Sequence, residues 1–479
     1  MSNYVNDPTV QKHRWWIITA VGMFTIMSTL DASIVNIALP VMSKDLHIPM
    51  NQAEWVVSIY LIVICALLLL MGKLGDTLGK IRIFRIGTGL FVGGSLLAGF
   101  NHSLGLLLFA RVMQALGASM TMANNNGIIT EIFPQNERGK ALGLIGSFVA
   151  VGSIAGPGIG GLILGVLPWG YIFWINIPIG IVTMIVGHFV LPKDTQVSKQ
   201  PIDWAGFGSY VVAIVPLFLA ISLGQEAGFT KPYILALFAI AVGGLLGFGY
   251  LEQHRQQPLV SFKLFGNGEF SISLLTGFLI FVTNFFSNVI TPFYLENARG
   301  FSATQAGYLM MIFPIVQVVI APLSGALSDK IGPYFLTLVG LAGILLAQVG
   351  YVLWHLSSPL WLIGLVIAIN GFGNGVFQSP NNTIIMSAVA PSDLGIAGGL
   401  NALARNLGMV VGISAATTTL FAAMSHTAGR KMTTYPVGHA ALFISGMRVA
   451  FVVAIGLCVV AFVLTAYRMW AQRQSRPTK

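Results

Sequence analysis

"GKLGDTLGK" (72–80) and "GALSDKIGP" (325–333) are the two stretches on which the fold turns. Each follows one long apolar run and precedes another. Both hold Gly, Asp and Gly at the same spacing, as Gly72, Asp76 and Gly79 and again as Gly325, Asp329 and Gly332, 253 positions apart. A second pair of segments repeats in the same sense. "NNNGIITEIFPQNERGKALGL" (124–144) is echoed by "NNTIIMSAVAPSDLGIAGGL" (381–400), with Pro391 lying 257 positions after Pro134. The chain reads as two copies of one unit with extra sequence between them.

Composition says what that unit is made of. Of 479 residues, 55% are hydrophobic and 8% charged, and the mean hydropathy is +0.81. A soluble domain carries about 25% charged residues. No soluble fold covers this much apolar surface, so the chain is a polytopic membrane protein. A spanning helix needs about 20 mainly apolar residues. Six such runs fall near 15–41, 54–71, 83–100, 104–129, 140–165 and 170–191. Two follow near 204–223 and 233–251. The last six lie near 270–295, 303–325, 334–354, 359–386, 396–422 and 445–467. The expected fold is all-α with fourteen spans. A six-helix bundle (1–192) and a second one (263–479) flank cytoplasmic links and two inserted transmembrane helices (193–262). Parallel repeats of this kind are a transporter architecture with its site near the midplane, between the halves.

Charge sets the expected orientation. With the N-terminus inside, seventeen of the 25 Lys and Arg residues fall in cytoplasmic segments and five outside, while Arg111, Arg405 and Arg448 lie within spans. This is the positive-inside bias, and an even number of spans puts both termini in the cytoplasm of a bacterial-type plasma membrane. The net charge of +10 therefore reflects topology, and nucleic acid is not an expected partner. The first apolar run is too long for a signal peptide and lacks a small-residue cleavage site, so it is expected to stay. Cys65 and Cys458 sit in apolar runs and read as small core residues, with no disulfide framework or metal site. The tryptophans at 15, 16, 169 and 470 fit an interfacial belt.

Inside the first run, "MFTIMSTLDASIVNIALP" (23–40) carries Asp31. An ionisable residue within the membrane is a functional-site hypothesis by default. Asp31 lies about 14 Å below the outer end of its helix, and Arg111 enters the fourth helix to about 10 Å. The depths match. An arginine within reach favours the ionised carboxylate and burial favours the protonated one. Motion between two states would thus switch the proton occupancy of Asp31. A static ion pair holding helices 1 and 4 together is the other reading. Glu54 beside Trp55 and Glu131 at the inner end of helix 4 read as interfacial.

These segments together resemble the major facilitator superfamily, in its EmrB/QacA-like, 14-helix drug:proton antiporter branch, over nearly the whole length. The motif after helix 2 is present as Gly72, Leu74, Asp76, Gly79, Lys80 and Arg82, departing at Thr77, where the family has Arg. "RVMQALGAS" carries Arg111, Gln114 and Gly117 of the helix 4 motif, and "GSIAGPGIGG" (152–161) is the antiporter motif of helix 5. "LDASIVNIALP" and "WGYIFWINIPIG" complete the set. The resemblance implies proton coupling through Asp31 and Arg111. It also implies a conformational gate at Gly72, Asp76, Gly79, Lys80, Arg82 and Asp329.

The residues support parts of this directly. Glycines at 72 and 79 let helix ends approach and turn tightly, and Asp76 is placed to cap a neighbouring helix N-terminus. A phosphate loop is excluded there, because position 74 is Leu where a Walker motif needs Gly. In helix 5, Gly152, Gly156, Gly160 and Gly161 offer close packing and Pro157 a bend. By the resemblance, the cavity is lined by helices 1, 4 and 5 and by the runs 270–295 and 359–386. The latter sets Asn370, Asn374, Gln378 and Asn381 on one helical face. The former offers Asn284, Phe285 and Asn288. Amides beside aromatics suit amphipathic ligands, although such amides also join helices together. Arg405, about ten residues into helix 13, has no acid at its depth in the second half. It would meet an anionic lipid or substrate group, bond helix-end carbonyls, or snorkel.

The expected function is export of an amphipathic drug in exchange for inward protons, with an endogenous anionic lipid or metabolite as the alternative cargo. No cofactor or metal is expected, and the partners are substrate, protons and membrane lipid around a functional monomer. A membrane enzyme or an ATP-driven pump is disfavoured, since HExxH, GxSxG, Walker A and any sizeable soluble domain are lacking.

Overall fold

The computed structural model describes residues 3–100, 103–195, 201–256, 258–430, 432 and 440–475. Among these there is no strand, and fourteen helices are long and apolar enough to cross a membrane. The first bundle holds α1 (Pro8–Asp45), α2 (Trp55–Leu78), α3 (Lys80–Gly99), α4 (Leu104–Ile132), α5 (Gln135–Val166) and α6 (Tyr171–Val190). The inserted pair is α7 (Trp204–Gly224) and α8 (Pro232–His254). The second bundle holds α9 (Gly268–Ala298), α10 (Gln305–Ile331), α11 (Pro333–Val352), α12 (Leu360–Ser387), α13 (Pro391–Ala428) and α14 (Ala440–Gln472). An even number of crossings brings Asn3 and Ser475 to one face, the terminal face.

Helix starts follow the local sequence. Asp7 accepts from the Thr9 N–H at 2.8 Å with Pro8 at the first helical position, so α1 begins seven residues before its apolar run. Asn267 caps α9, and Ser302 with Gln305 forms a reciprocal capping box at the start of α10. The two turns in the repeated motif are single residues. Gly79 alone separates α2 from α3 and Gly332 alone separates α10 from α11, with φ of 106° and 89°. A side chain at such φ is strained, which explains why both copies carry Gly there.

The two bundles are chemically alike inside and joined mainly near the terminal face. The α7–α8 pair lies to one side, where the Tyr210 hydroxyl donates to the Cys65 carbonyl on α2 at 2.7 Å. Outward faces are apolar, with Phe109, Phe189, Leu246, Tyr308 and Trp361 all well exposed, as lipid contact requires. The hydrogen bonds between bundles cluster from the terminal face up to the Ser147–Val318 contact of α5 with α10. Beyond it, α5 exposes Val151, Leu162 and Val166. The molecule is thus closed at the terminal face and opens toward the other.

Candidate functional site

The closure is built from the repeated motif. Asp76, at the end of α2, accepts from the Gly395 and Ile396 N–H groups at 2.8 and 3.0 Å, at the start of α13 in the opposite bundle. Asp329, at the end of α10, accepts from Gly139 and Lys140 N–H at 2.7 and 2.9 Å, at the start of α5. Each bundle therefore lends a carboxylate to the positive end of a helix in the other. The approach needs glycine. A Cβ on Gly72 would run into the Gly395 carbonyl, and one on Gly325 into the Gly139 carbonyl. The Ser379 hydroxyl adds a bond to the same Gly139 carbonyl at 2.9 Å.

The first latch has a charged support. Lys80 bridges Asp76 at 2.8 Å and Glu131 at 2.9 Å, and all three are buried. This corrects the interfacial expectation for Glu131: its helix runs on past the apolar segment and turns the carboxylate inward onto Lys80. Glu54 is exposed at the start of α2, as an interfacial residue should be. Arg82 contributes only its backbone N–H, which donates with that of Ile81 to Asp194, both at 2.9 Å. Thr77 bonds back to its own helix. Asp194 was missed from sequence because it lies in a polar link where an acid is ordinary.

Deeper in the first bundle, Asp31 sits in a sealed polar cluster. Its Oδ2 accepts from Arg111 at 2.6 Å, and its Oδ1 accepts from Gln114 at 3.1 Å and Asn176 at 2.8 Å. Gln114 donates also to the Ser95 hydroxyl at 2.7 Å. Arg111 further donates to the Val56 carbonyl at 2.9 Å and lies over the Tyr60 ring at 4.0 Å. Five helices thus converge on one carboxylate. Asp31, Gln114 and Asn176 are completely buried and Arg111 nearly so. A charged pair in such surroundings is held only because every oxygen has a donor. Gln114, Asn176 and Ser95 were not singled out from sequence as partners of Asp31.

The helix 5 glycines divide. A Cβ on Gly152 would strike Thr29 and one on Gly156 would strike Ser33, so these two set the α1–α5 approach. Gly160 has ordinary room beside Ile34, and Gly161 faces open space. Pro157 lies within the helix, and its side chain is outside the described residues.

The amides of the second bundle engage one another. Asn374 donates to Asn284 at 2.9 Å and receives a bond back at 2.5 Å. Asn370 donates to Ser287 and accepts from Asn374 at 3.2 Å. Asn381 bonds the Ser273 carbonyl and Gln378 accepts from Gln317. In this conformation the stripe joins α12 to α9 and α10. Phe285 packs over Gly412, and Asn288 is exposed. Arg405 stands apart: among the described residues it makes no hydrogen bond or ion pair, and it is half-buried on α13.

This architecture agrees with what the chain is similar to. The family model of the Major Facilitator Superfamily matches residues 21–413. The riboflavin transporter RibZ of Clostridioides difficile (strain 630) is 34% identical over 459 residues, 96% of this chain and 98% of that protein. The multidrug transporter protein MdtP of Bacillus subtilis (strain 168) is 28% identical over 429 residues, covering 88% of this chain and 77% of that one. The crystal structure of the human organic anion transporter MFSD10 (TETRAN) shares the fold, with a TM-score of 0.63 and 14% identity over 95% of this chain and 98% of that one. The chain is an integral multi-pass membrane protein and belongs to the Major Facilitator Superfamily of transporters.

Proposed function

We propose that the protein is a proton-coupled secondary transporter that exports amphipathic organic compounds by alternating access. It works as a monomer in a bacterial-type plasma membrane, with the terminal face in the cytoplasm. The observation that carries this reading is the Asp31–Arg111 pair, shut from water while the cleft is closed on one side only. A lone intramembrane carboxylate held by one arginine and two amides has the parts of a proton acceptor. Rearrangement of α1 against α4 and α6 takes the carboxylate from its donors, and burial then penalises the charge and favours proton uptake. Coupling that rearrangement to the latches at Asp76 and Asp329 ties proton binding to which face is open. Similarity to multidrug transporters favours export of foreign amphipathic compounds.

A second reading is transport of an endogenous flavin-like metabolite, favoured by the near full-length similarity to RibZ. Vesicles carrying the protein and challenged in parallel with ethidium and riboflavin test both readings. Acid-lumen gradients should drive ethidium inward in inside-out vesicles on the first reading. Riboflavin movement without ethidium movement supports the second, and no response to the gradient with either compound removes proton coupling.

A further inference from the structure

The membrane-embedded arginines account for themselves with one exception. Arg111 pairs with Asp31 at 2.6 Å. Arg85 donates to the Gly187 and Leu191 carbonyls. Arg468 is held by the Ser273 and Thr337 hydroxyls beneath the Tyr334 ring, and Arg448 meets His355 at 2.6 Å. Arg405 alone has no such partner among the described residues. It lies fourteen residues past Pro391, about 21 Å along α13 from the terminal face. It is half-buried, as a group lining an internal cleft is. A cation left unpaired at that depth is costly unless something occupies the space beside it.

A residue on the neighbouring helix α2 is incomplete in the same way. Tyr60 is 2% exposed, and its hydroxyl is buried with no hydrogen-bond partner among the described residues. A buried phenol normally finds one. Its ring underlies Arg111 at 4.0 Å, so Tyr60 borders the sealed carboxylate cluster of the first bundle. Helices α2 and α13 pack together at this level: a Cβ on Gly399 would meet the Leu68 carbonyl, and Leu403 and Leu407 share an apolar cluster with Leu61 and Ile62.

We propose that Arg405 and the Tyr60 hydroxyl form the binding site for an anionic group of the transported solute, a carboxylate or phosphate on an organic body. The guanidinium supplies charge and paired donors, the phenol a third donor, and the two come from opposite bundles across the cleft. The proposal deepens the transporter reading, and rests on it, by naming the charge of the solute.

The test uses three naphthalenes differing only in charge: 2-naphthoate, 2-naphthamide and 2-naphthylmethylammonium. Calorimetric titration is made into the full-length protein in nanodiscs of phosphatidylcholine. Wild type should bind the carboxylate at least tenfold more tightly than the other two. Arg405→Gln should erase that preference, Arg405→Lys should keep part of it, and Tyr60→Phe should weaken it several-fold. Equal or undetectable binding of the three, or an undiminished preference in Arg405→Gln, overturns the proposal. Displacement of naphthoate when phosphatidylglycerol is added to the nanodiscs overturns it too, by making a lipid headgroup the occupant. If no solute movement responds to a pH gradient while the Arg405 effect stands, the proton-coupled reading fails and the anion site survives.

Discussion

Replacing Asp76 with Asn tests the closure of the terminal face at its most buried contact. The carboxylate accepts two N–H groups at 2.8 and 3.0 Å from the first turn of α13 and is 4% exposed. Asn keeps one acceptor oxygen, points an NH2 at the second N–H, and removes the charge facing the helix end. Hydrogen bonds to charged groups contribute about 1.5–3 kcal/mol each, and a charge at a helix terminus up to about 2 kcal/mol when partly buried. Allowing for the surviving bond, the closed state loses about 2 kcal/mol, or about 30-fold in the closed-to-open ratio. Asp329→Asn breaks the same geometry at a half-buried site and should lose about 1 kcal/mol, roughly fivefold. Spin labels at Leu78 on α2 and Ile331 on α10, both exposed, report the gap between bundles. Cys65 and Cys458 are buried and should stay unlabelled. The distance distribution should lengthen in Asp76→Asn and further in the double variant, with turnover slowed more than substrate affinity. Identical distributions in wild type and both variants would refute the latch.

Arg111→Ala leaves Asp31 buried with amide donors alone, and breaking a buried pair this way costs about 3–5 kcal/mol. The loss of thermal stability should shrink by at least half in the Asp31→Asn background, and additive effects in that double-mutant cycle would show the two are not coupled. Gly156→Ala, whose Cβ would strike Ser33, should slow transport, while Gly161→Ala, facing open space, should leave the rate unchanged; equal effects would sink the packing account of α1 against α5. Asn374→Ala strands its partners, the half-buried Asn284 and the buried Asn370, at about 1–3 kcal/mol. It should lower the unfolding temperature and leave substrate affinity unchanged, and the reverse pattern would place the amides in the binding site.

The fourteen spans and the two-bundle plan were legible because charged and glycine-rich gaps interrupt apolar runs, and because the Gly-Asp-Gly motif is duplicated. The approach of Asp31 to Arg111 was legible for a related reason: two ions at matched depth in apolar helices have few other solutions. Gln114, Asn176 and Ser95 were not, since amides and hydroxyls are ordinary in membrane helices and nothing in their spacing points to a carboxylate on α1. The same ambiguity touches Asn370 and Asn374. Helical period puts them on one face but does not say whether that face meets a cleft or the Asn284 amide of a neighbouring helix. Glu131 was misread because hydropathy measures the membrane and not the helix, which continues beyond the apolar run. Asp194 illustrates the limit most simply, for an acid in a polar link has no signature until a helix N-terminus is brought to it.

The most direct test of the account is proton movement during transport. Proteoliposomes containing a pH-sensitive dye would be given riboflavin or ethidium, with wild-type protein and with Asp31→Asn. Wild type should move protons when, and only when, a transported solute is present. Asp31→Asn should still exchange solute down its gradient, with no proton flux and no uphill accumulation under an imposed pH gradient. Full pH-driven accumulation by Asp31→Asn would contradict this, and would leave the buried carboxylate as a structural ion pair.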